Sequence, residues 1–308
     1  MMPDGSEKID IALATTDRVE LPEFTQSGVR VESLRLDKIH PVVSGNKWFK
    51  LKEHLRIAVE EQHSGIVTFG GALSNHIVAT AYAARQTGLP VTGIIRGGDT
   101  GPWSDALEAA AGYGMHLEFI SRGEYRKKEE PEFLKRISAL CPGCYILPEG
   151  GGGPAGVKGI EEIGRMAGKG PYSHILCAIG TGTMFMGLAR AAAPHQKIIG
   201  VPVLKGLHHF MAGCRDRVTD AGQLARCRIE DGYHFGGYAR RSEELLSFMR
   251  RLYACSGIPT DFVYTGKLFY AVSDLAKKGV FPPGSVLLVI HSGGLQGNRS
   301  LPAETLGF

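Results

Sequence analysis

The sequence lacks the features that mark membrane, secreted and nucleic-acid-binding proteins. No apolar run approaches the roughly 18 residues of a membrane span, and the opening MMPDGSEKIDIALATT has neither the basic start nor the apolar stretch of a signal peptide. The formal charge of +4 is small for 308 residues, and basic residues stand among acidic ones, as in RKKEEPE. These absences predict a soluble, cytoplasmic protein with no membrane or nucleic-acid partner.

Cysteine is also scarce, with six residues in the whole chain, which argues against a disulfide framework. Cys141 and Cys144 form a CPGC pair, but a zinc site needs a second pair of ligands at similar spacing. The nearest candidates, His208, His209 and Cys214, are not spaced in that way. A redox dithiol would precede a helix, whereas the strand-like CYIL follows here. We therefore expect no metal site, and a loop between a helix and a strand.

What the sequence does contain is a regular alternation of strand-like and helix-like segments. GIVTFGG leads to NHIVATAYAARQTG, VTGIIRGG to SDALEAAAGYG, HLEFISR to EEPEFLKRISAL, and CYILPEG to GIEEIGRMAG; HILCAIG, KIIGVPVL and SVLLVIHSGG continue the series. This succession predicts an α/β fold with mostly parallel sheets flanked by helices. The glycine-rich PEGGGGPAG at 148–156 is a candidate break between two sheet-building halves.

A lysine stands where a helix dipole gives it no support. In SGNKWFKLKEHL, the spacing of Trp48, Leu51, Leu55 and Val59 predicts an amphipathic helix, and Lys47 falls in its first turn. The positive end of a helix favours anions over cations. An ordinary solvated lysine is the plain alternative, and the rest of the chain has to decide between the two interpretations.

Ligands of parallel α/β sheets bind where strands turn into helices, and one such loop has the composition of a phosphate site. In CAIGTGTMFMGL, a strand runs into Gly180, Thr181, Gly182 and Thr183, and a helix follows at once. Backbone N–H groups and two hydroxyls then converge at a helix N-terminus. The loop is not a Walker motif, and Phe185 stands where a dinucleotide fingerprint has its third glycine. The alternative is a tight turn that needs glycine.

Two further loops carry polar side chains at predicted helix starts. In FGGALSNH, Ser74 and Asn75 follow a strand, with His76 next. One of them is explained as a helix N-cap, and the other polar groups remain for the oxyanions of a ligand. In DFVYTGKLF, Tyr264 and Thr265 lie at a turn before a helix, where a tyrosine could equally belong to the core.

Together these features supply an amine for a Schiff base, a phosphate pocket and polar partners for a ring, which is the equipment for pyridoxal 5'-phosphate. From about Leu34 to Ser292 the sequence resembles the aminocyclopropane-carboxylate deaminase and D-cysteine desulfhydrase family, within the tryptophan-synthase-β-like fold. The resemblance implies two α/β domains, each a mostly parallel sheet flanked by helices, with the cofactor in the cleft between them. Residues 1–52 and 153–308 would form the large domain, and 53–152 the small one. It also implies a homodimer that acts on a small amino acid.

The resemblance assigns roles residue by residue. Lys47 matches the Schiff-base lysine, Ser74 and Asn75 resemble the residues that hold the substrate carboxylate and the cofactor's ring hydroxyl, and Gly180, Thr181, Gly182 and Thr183 match the phosphate loop. Tyr238 of FGGYAR and Tyr264 of YTGK match the two active-site tyrosines of the family. Lys267, in the same motif as Tyr264, is left as structural.

Two positions separate the branches of the family. The resemblance places Thr265 beside the pyridine nitrogen, where the deaminases that open a cyclopropane carry Glu, and a hydroxyl makes the ring a weaker electron sink. Ser292 stands where the deaminases have Leu. Both favour a D-cysteine desulfhydrase-like lyase that forms pyruvate, ammonia and sulfide by β-elimination. The segments LRLDKIHP, Ser44-Gly45 and GGLQGNRS depart from the family pattern, and these departures leave the substrate open.

Several alternatives stay open at this point. The nearest is a 1-aminocyclopropane-1-carboxylate deaminase, which opens the ring to 2-oxobutyrate and ammonia. A D-serine ammonia-lyase or a racemase would differ only in the leaving group or in reprotonation. A protein that binds pyridoxal phosphate without turnover would use the same phosphate cradle.

Overall fold

The computed structural model describes residues 8–99, 101–206, 221–302 and 304–308. The chain divides into two compact units. Among the described residues, the first unit comprises 8–9, His40–Val43 and Lys47–Gly156, and the second comprises Asp10–Ile39, Ser44–Asn46 and Val157–Phe308. The predicted small domain, 53–152, falls within the first unit, while the domain division as a whole stays a prediction. His208, His209 and Cys214 lie outside the described residues.

Strands and helices alternate along most of the chain. The strands, in chain order, are β1 (Thr15–Arg18), β2 (Arg30–Arg35), β3 (Gly65–Gly71), β4 (Val91–Arg96), β5 (Met115–Ile120), β6 (Cys144–Leu147), β7 (His174–Ile179), β8 (Lys197–Pro202), β9 (Cys227–Ile229) and β10 (Val286–His291). The α-helices are Pro22–Gln26, Asn46–Glu60, Asn75–Arg85, Asp105–Gly112, Arg122–Tyr125, Pro131–Leu140, Gly153–Gly168, Thr183–Ala191, Ala221–Ala225, Glu243–Ser256 and Thr265–Lys277. Each helix in these ranges is too short or too polar to cross a lipid bilayer.

The first unit is built on a four-stranded sheet in the order β5-β4-β3-β6, and all its pairs are parallel. The central strand β3 is buried along almost its whole length, because a parallel sheet with helices on both faces has no solvated side. Ile66 of this strand packs with Ile77 of helix Asn75–Arg85 and with Leu51 of helix Asn46–Glu60. The carboxyl end of β3 leads directly to Ser74 and Asn75.

The second unit is built on a six-stranded sheet in the order β1-β2-β10-β7-β8-β9. The edge strand β1 pairs antiparallel with β2, and the other pairs are parallel. Helix Thr265–Lys277 buries Leu268, Val272 and Leu275 against this sheet. Because β7 and β10 are parallel neighbours, the phosphate loop after β7 and the HSGG segment at the end of β10 lie at the same edge of the sheet.

The structure confirms the predicted α/β architecture, with one local difference. The helix that carries Lys47 begins at Asn46, and Leu51 and Leu55 are buried as predicted, but Val59 is 49% exposed. The CPGC segment is the predicted loop between helix Pro131–Leu140 and β6, and its two thiols are free.

Candidate active site

Lys47 is placed by the tight turn that immediately precedes it. Gly45 has a φ of +68°, and a Cβ at this position would lie 1.9 Å from the carbonyl oxygen of Ser292. The Asn46 N–H donates to the same carbonyl at 3.2 Å. Only glycine tolerates both the backbone angle and this close approach. Packing therefore requires the glycine of SGNK, and it delivers Lys47, half-buried, to the first turn of its helix.

A buried charge network, which the sequence analysis missed, supports this turn. Asp37 accepts hydrogen bonds from Arg35 Nε at 2.8 Å and lies 3.0 Å from His291 Nδ1. Burial by itself would raise the pKa of Asp37, but the bonds from His291 and Arg35 outweigh it and hold that pKa well below its usual range. The Gly45 N–H donates to Leu36 O at 2.9 Å, so the turn is bonded to the segment that carries the network. The sequence signal for this network was the presence of Arg35 and Asp37 in the strand-like VESLRLD and of His291 at the end of the apolar VLLVIH.

Ser74 and Asn75 begin a helix without closing its first turn. Ser74 is the N-cap of helix Asn75–Arg85, yet its side chain makes no capping hydrogen bond. Both side chains are half-buried, and neither has a hydrogen bond to another described residue. The structural explanation of Ser74 as a cap therefore does not account for its hydroxyl, which is available to a ligand together with the Asn75 amide.

His76, in the same turn, presents a buried acceptor. The Thr68 hydroxyl donates to Leu147 O at 3.0 Å, so it accepts from His76 Nε2 at 2.8 Å. His76 Nδ1 is then an unprotonated acceptor, and this buried atom has no hydrogen-bond partner among the described residues. Burial, and next the positive charges of Lys47 and Lys50, lower the pKa of His76 well below its ordinary value. The neutral ring offers a lone pair to a donor group close to Lys47.

The loop after β7 forms a helix start that is open to an anion. Gly182, with a φ of +82°, is the N-cap of helix Thr183–Ala191 and brings no capping side chain. The first hydrogen bond of the helix joins Met186 N to Gly182 O, so the earlier amides have no partner within it. The hydroxyls of Thr181 and Thr183 lie 3.1 Å apart at this start. Outward N–H groups, two hydroxyls and the positive helix end together suit a phosphate.

Tyr264 lies next to this loop, whereas Thr265 is enclosed. Tyr264 is the N-cap residue of its helix, and a Cβ at Gly180 would come within 3.2 Å of the tyrosine ring. Thr265 is 0% exposed, and its hydroxyl donates to Asp261 Oδ2 at 2.6 Å while it accepts from Asp261 N at 2.8 Å. Because this proton is directed to Asp261, the Thr265 hydroxyl has no hydrogen to donate to another group.

Tyr238 lies in the loop before helix Glu243–Ser256 and is 55% exposed. Its ring centroid is 6.3 Å from that of Tyr264, and the rings meet edge to face at 70°. The structure therefore brings together the two tyrosines that the sequence pattern pairs. Lys267, which is fully buried, donates to the backbone of the same loop at Gly237 O.

Each of the two units, taken by itself, contains predicted residues whose chemistry suits a part of pyridoxal phosphate. Lys47, Ser74 and Asn75 belong to the first unit, and Gly180 to Thr183, Tyr238, Tyr264 and Thr265 belong to the second. The open helix start at Gly182 matches the dianionic phosphate. The unpartnered Nδ1 of His76, beside the amine of Lys47, matches a ligand that carries polar ring substituents. The residues present therefore support this cofactor.

Comparisons with known proteins agree with these observations. The family model described as pyridoxal-phosphate dependent enzyme matches residues 9–293. A Pyrococcus abyssi protein named "Putative 1-aminocyclopropane-1-carboxylate deaminase" is 28% identical over 294 residues, which cover 90% of this chain and 88% of that protein. A D-cysteine desulfhydrase of Klebsiella pneumoniae is 24% identical over 311 residues, covering 93% of this chain and 94% of the relative.

Among solved structures, the crystal structure of an ACC deaminase homologue superposes with a TM-score of 0.80 at 25% identity, covering 94% of this chain and 92% of that one. The resemblance on which the sequence analysis rests is thus confirmed, as are the α/β fold and the cofactor. The family model spans nearly the whole chain, from ahead of β1 to the end of β10. The chain therefore belongs to the family of pyridoxal-phosphate dependent enzymes.

Proposed function

We propose that the protein is a D-cysteine desulfhydrase-like lyase, which converts a small D-amino acid with a β leaving group, together with water, into pyruvate, ammonia and the released thiol or sulfide. The observation that carries this proposal is the environment of Thr265, a neutral hydroxyl whose proton is held by Asp261. A carboxylate at this position would bind a pyridinium proton strongly, whereas a hydroxyl lone pair binds it weakly. Ring opening of a cyclopropane depends on a strong electron sink, but expulsion of a thiolate does not.

Each proposed residue has a defined task. When bound, pyridoxal phosphate withdraws electrons from the substrate α-carbon, so that the α-proton becomes acidic and the β substituent can leave. The free amine of Lys47 accepts the α-proton. The neutral ring of His76 adds no positive charge beside that amine. Ser74 binds the substrate carboxylate, and Asn75 orients the cofactor ring.

The residues of the second unit hold the other groups in this proposal. The amides and hydroxyls from Gly180 to Thr183 bind the phosphate. Tyr264 and Tyr238, in edge-to-face contact, position the carboxylate, and a tyrosine hydroxyl donates the proton that the leaving thiolate takes up. The exposed side of the Tyr238 ring lets the tyrosine pair regain a proton from solvent after this donation.

A substrate panel tests the proposal directly. The purified protein, loaded with pyridoxal phosphate, is given D- and L-cysteine, D- and L-serine, D-alanine and aminocyclopropane carboxylate, and keto acid, sulfide and racemisation are measured. We expect pyruvate and sulfide from D-cysteine and little or no 2-oxobutyrate. Efficient 2-oxobutyrate formation would overturn the proposal in favour of the deaminase, which the name of the Pyrococcus abyssi relative favours.

The same panel separates the remaining alternatives. Pyruvate from D-serine alone identifies a D-serine ammonia-lyase, and loss of optical rotation without keto acid identifies a racemase. A protein that retains the cofactor and turns over no amino acid in the panel is a binding protein.

Substitutions at Thr265 test its role more sharply than a change to Glu would, because Glu would place a second carboxylate beside Asp261 in a fully buried site. Thr265→Ser keeps the hydroxyl, and Thr265→Val keeps the shape but removes it. If the hydroxyl matters, D-cysteine turnover falls by about tenfold in the Val variant and by less than about threefold in the Ser variant, as expected for loss of one buried hydrogen bond. Equal turnover in both would remove Thr265 from the site.

Three broader statements also stay proposals. The resemblance to the family supports a homodimer, a cytoplasmic location and a small domain formed by residues 53–152. Light scattering coupled to size exclusion tests the first, since a dimer has twice the 33.2 kDa of one chain.

A further inference from the structure

Lys267 is a charged side chain in a place where charge is costly. It is 0% exposed and lies near the start of helix Thr265–Lys277. Its ammonium donates to His234 O at 2.9 Å and to Gly237 O at 2.7 Å. Burial lowers the pKa of Lys267 to about 8, although the carboxylate of Asp261 acts in the opposite direction. Near neutral pH the side chain is therefore mostly cationic, and its two visible partners are backbone carbonyls of one loop.

That loop consists of two consecutive turns, and each turn shares a carbonyl with Lys267. His234 O also accepts from Gly237 N at 3.0 Å, and Gly237 O also accepts from Arg240 N at 3.2 Å. The lysine therefore binds the carbonyl at which each turn begins. Charge-assisted hydrogen bonds of this kind are stronger than the neutral bonds within the turns.

The loop has an unusual backbone that needs support. Phe235 and Ala239 have φ values of +51° and +52°, in addition to the positive φ of Gly236 and Gly237. Side chains other than glycine are disfavoured in this region, and they persist there only when the surroundings hold them. Phe235 is held by packing on Tyr270 with ring centroids 5.0 Å apart. Ala239, in the half of the loop that follows Gly237, is partly buried against the cluster that contains Phe262 and Leu306.

Tyr238 lies in that second half, directly after one of the two carbonyls bound by Lys267. Its ring meets Tyr264 edge to face, and Tyr264 is the N-cap of the helix that carries Lys267. The lysine thus connects the backbone of the Tyr238 loop to the helix that fixes Tyr264. Its two hydrogen bonds therefore contribute to the support of the strained backbone that carries Tyr238.

We propose that Lys267 is a positioning residue that sets Tyr238 against Tyr264 by binding the two carbonyls of its loop. The consequence for turnover rests on the proposed function, in which the tyrosine pair contacts substrate. The consequence for the loop itself does not depend on any activity.

The first test measures the loop without substrate or cofactor. Lys267→Met keeps the length of the side chain and removes the ammonium, and Lys277→Met removes an exposed lysine from the far end of the same helix as a matched control. Hydrogen exchange is followed by mass spectrometry in peptides that contain the amides of Gly237 and Arg240. We expect exchange to become about tenfold faster or more in Lys267→Met and to stay at the wild-type rate in Lys277→Met. Unchanged exchange in Lys267→Met would overturn the proposal.

The second test asks whether Lys267 acts through Tyr238. Pyruvate formation from D-cysteine is measured for Lys267→Met, Tyr238→Phe and the double variant, with the cofactor content of each determined from its absorbance. We expect Lys267→Met to lower kcat by about tenfold with KM changed by less than about threefold. In the Tyr238→Phe background the same change should have much less effect. Equal losses in both backgrounds would show a general structural role and contradict the proposal.

These tests distinguish the failure of this inference from the failure of the proposed function. If D-cysteine is not turned over by the wild type, the proposed function fails and hydrogen exchange still decides the role of Lys267. If Lys267→Met does not fold, Lys267→Gln retains a donor without charge. Exchange as slow as the wild type in a folded Gln variant would show that the cation is not needed, and would contradict the proposal.

Discussion

Ser74 and Ser104 are both serines at the N-cap of a helix, but only Ser104 makes the capping hydrogen bond. Each is the N-cap of a helix in the first unit. The Ser104 hydroxyl accepts a hydrogen bond from Leu107 N at 3.3 Å and donates to Ala72 O. The Ser74 hydroxyl makes no capping bond. One helix start is closed by its own side chain, and the other is left open.

Other helix starts among the described residues show the same difference between a closed and an open N-cap. Ser121 and Ser242 close their helices as Ser104 does, by accepting from a backbone N–H in the first turn. Gly182 has no side chain to make a capping bond, and the side chain of Ser74 makes none. These two helix starts follow β3 and β7, which are interior strands of the two sheets. An unclosed helix start at the carboxyl end of an interior strand is therefore what the two groups proposed to bind a ligand have in common.

The largest effect is expected when the amine of Lys47 is removed. Lys47→Ala should reduce turnover by at least about a thousandfold, because the proposed covalent attachment of the cofactor and the proposed proton acceptor would both be lost. Borohydride reduction of the wild type should attach the cofactor irreversibly to Lys47, as shown by peptide mass spectrometry. Lys52→Ala, on the same helix, is the matched control and should keep turnover. A label on Lys50 or Lys52 would disprove the assignment.

The second prediction concerns a negative charge placed at Gly182, the N-cap of the helix after β7. Gly182→Asp should weaken cofactor binding by about a hundredfold or more, because a carboxylate would face the phosphate anion. Gly182→Ala adds backbone strain at a φ of +82° but no charge, and should weaken binding far less. Cofactor affinity is measured by titration of the apoprotein, and circular dichroism checks the fold of both variants. Wild-type affinity in a folded Asp variant would show that the phosphate binds elsewhere.

The comparison itself is tested by exchanging the two serines for alanine. Ser74→Ala should lower kcat/KM by about tenfold or more, because a hydrogen bond to a charged carboxylate is lost, while the melting temperature stays near the wild-type value. Ser104→Ala should do the opposite, with a loss of about 1 kcal/mol of stability and unchanged kcat/KM. The distinction between open and closed starts fails if the two variants behave alike.

The smallest expected effect concerns the pH dependence of stability that comes from a buried carboxylate in the first turn of a helix. Glu23, in the first turn of helix Pro22–Gln26, accepts from both guanidinium nitrogens of Arg251 at 2.7 and 3.0 Å and from the Ser273 hydroxyl. Burial alone would raise the pKa of Glu23, but these partners lower it from 4.5 to about 2. The stabilisation is therefore complete above about pH 4.5 and is lost as the pH falls towards about 2.

Glu23→Gln should make stability less dependent on pH in this acid range. Because the Arg251 side chain is 40% exposed, solvent screening limits the effect to about 1 kcal/mol. The melting temperatures of wild type and variant, followed from about pH 6 to about pH 3.5, should converge on the acid side. Parallel curves would show that this carboxylate does not control the acid stability.

Much of the molecule is predictable because its signals are local. The run GIVTFGG, with no polar side chain except Thr68, indicates a strand buried on both faces, and β3 occupies that position. The glycines and threonines of CAIGTGT predict a helix start without bulky side chains. Gly182 is the N-cap of that helix, and its positive φ favours glycine. Strand β2 and helix Glu243–Ser256 went unpredicted, because charged residues interrupt their apolar patterns.

The sequence by itself determined most of the strands and helices, the loops at the strand ends, and the residue types proposed to hold pyridoxal phosphate, since all these depend on neighbours within a few positions. Only the tertiary structure decided which polar groups are satisfied and which remain open. Arg35, Asp37 and His291 form one network although His291 is far along the chain. Likewise, Ser74 and Ser104 cannot be told apart by type or position. The partners of a buried charge or hydroxyl are chosen by packing, and packing joins segments whose separation in sequence carries no signal of their contact.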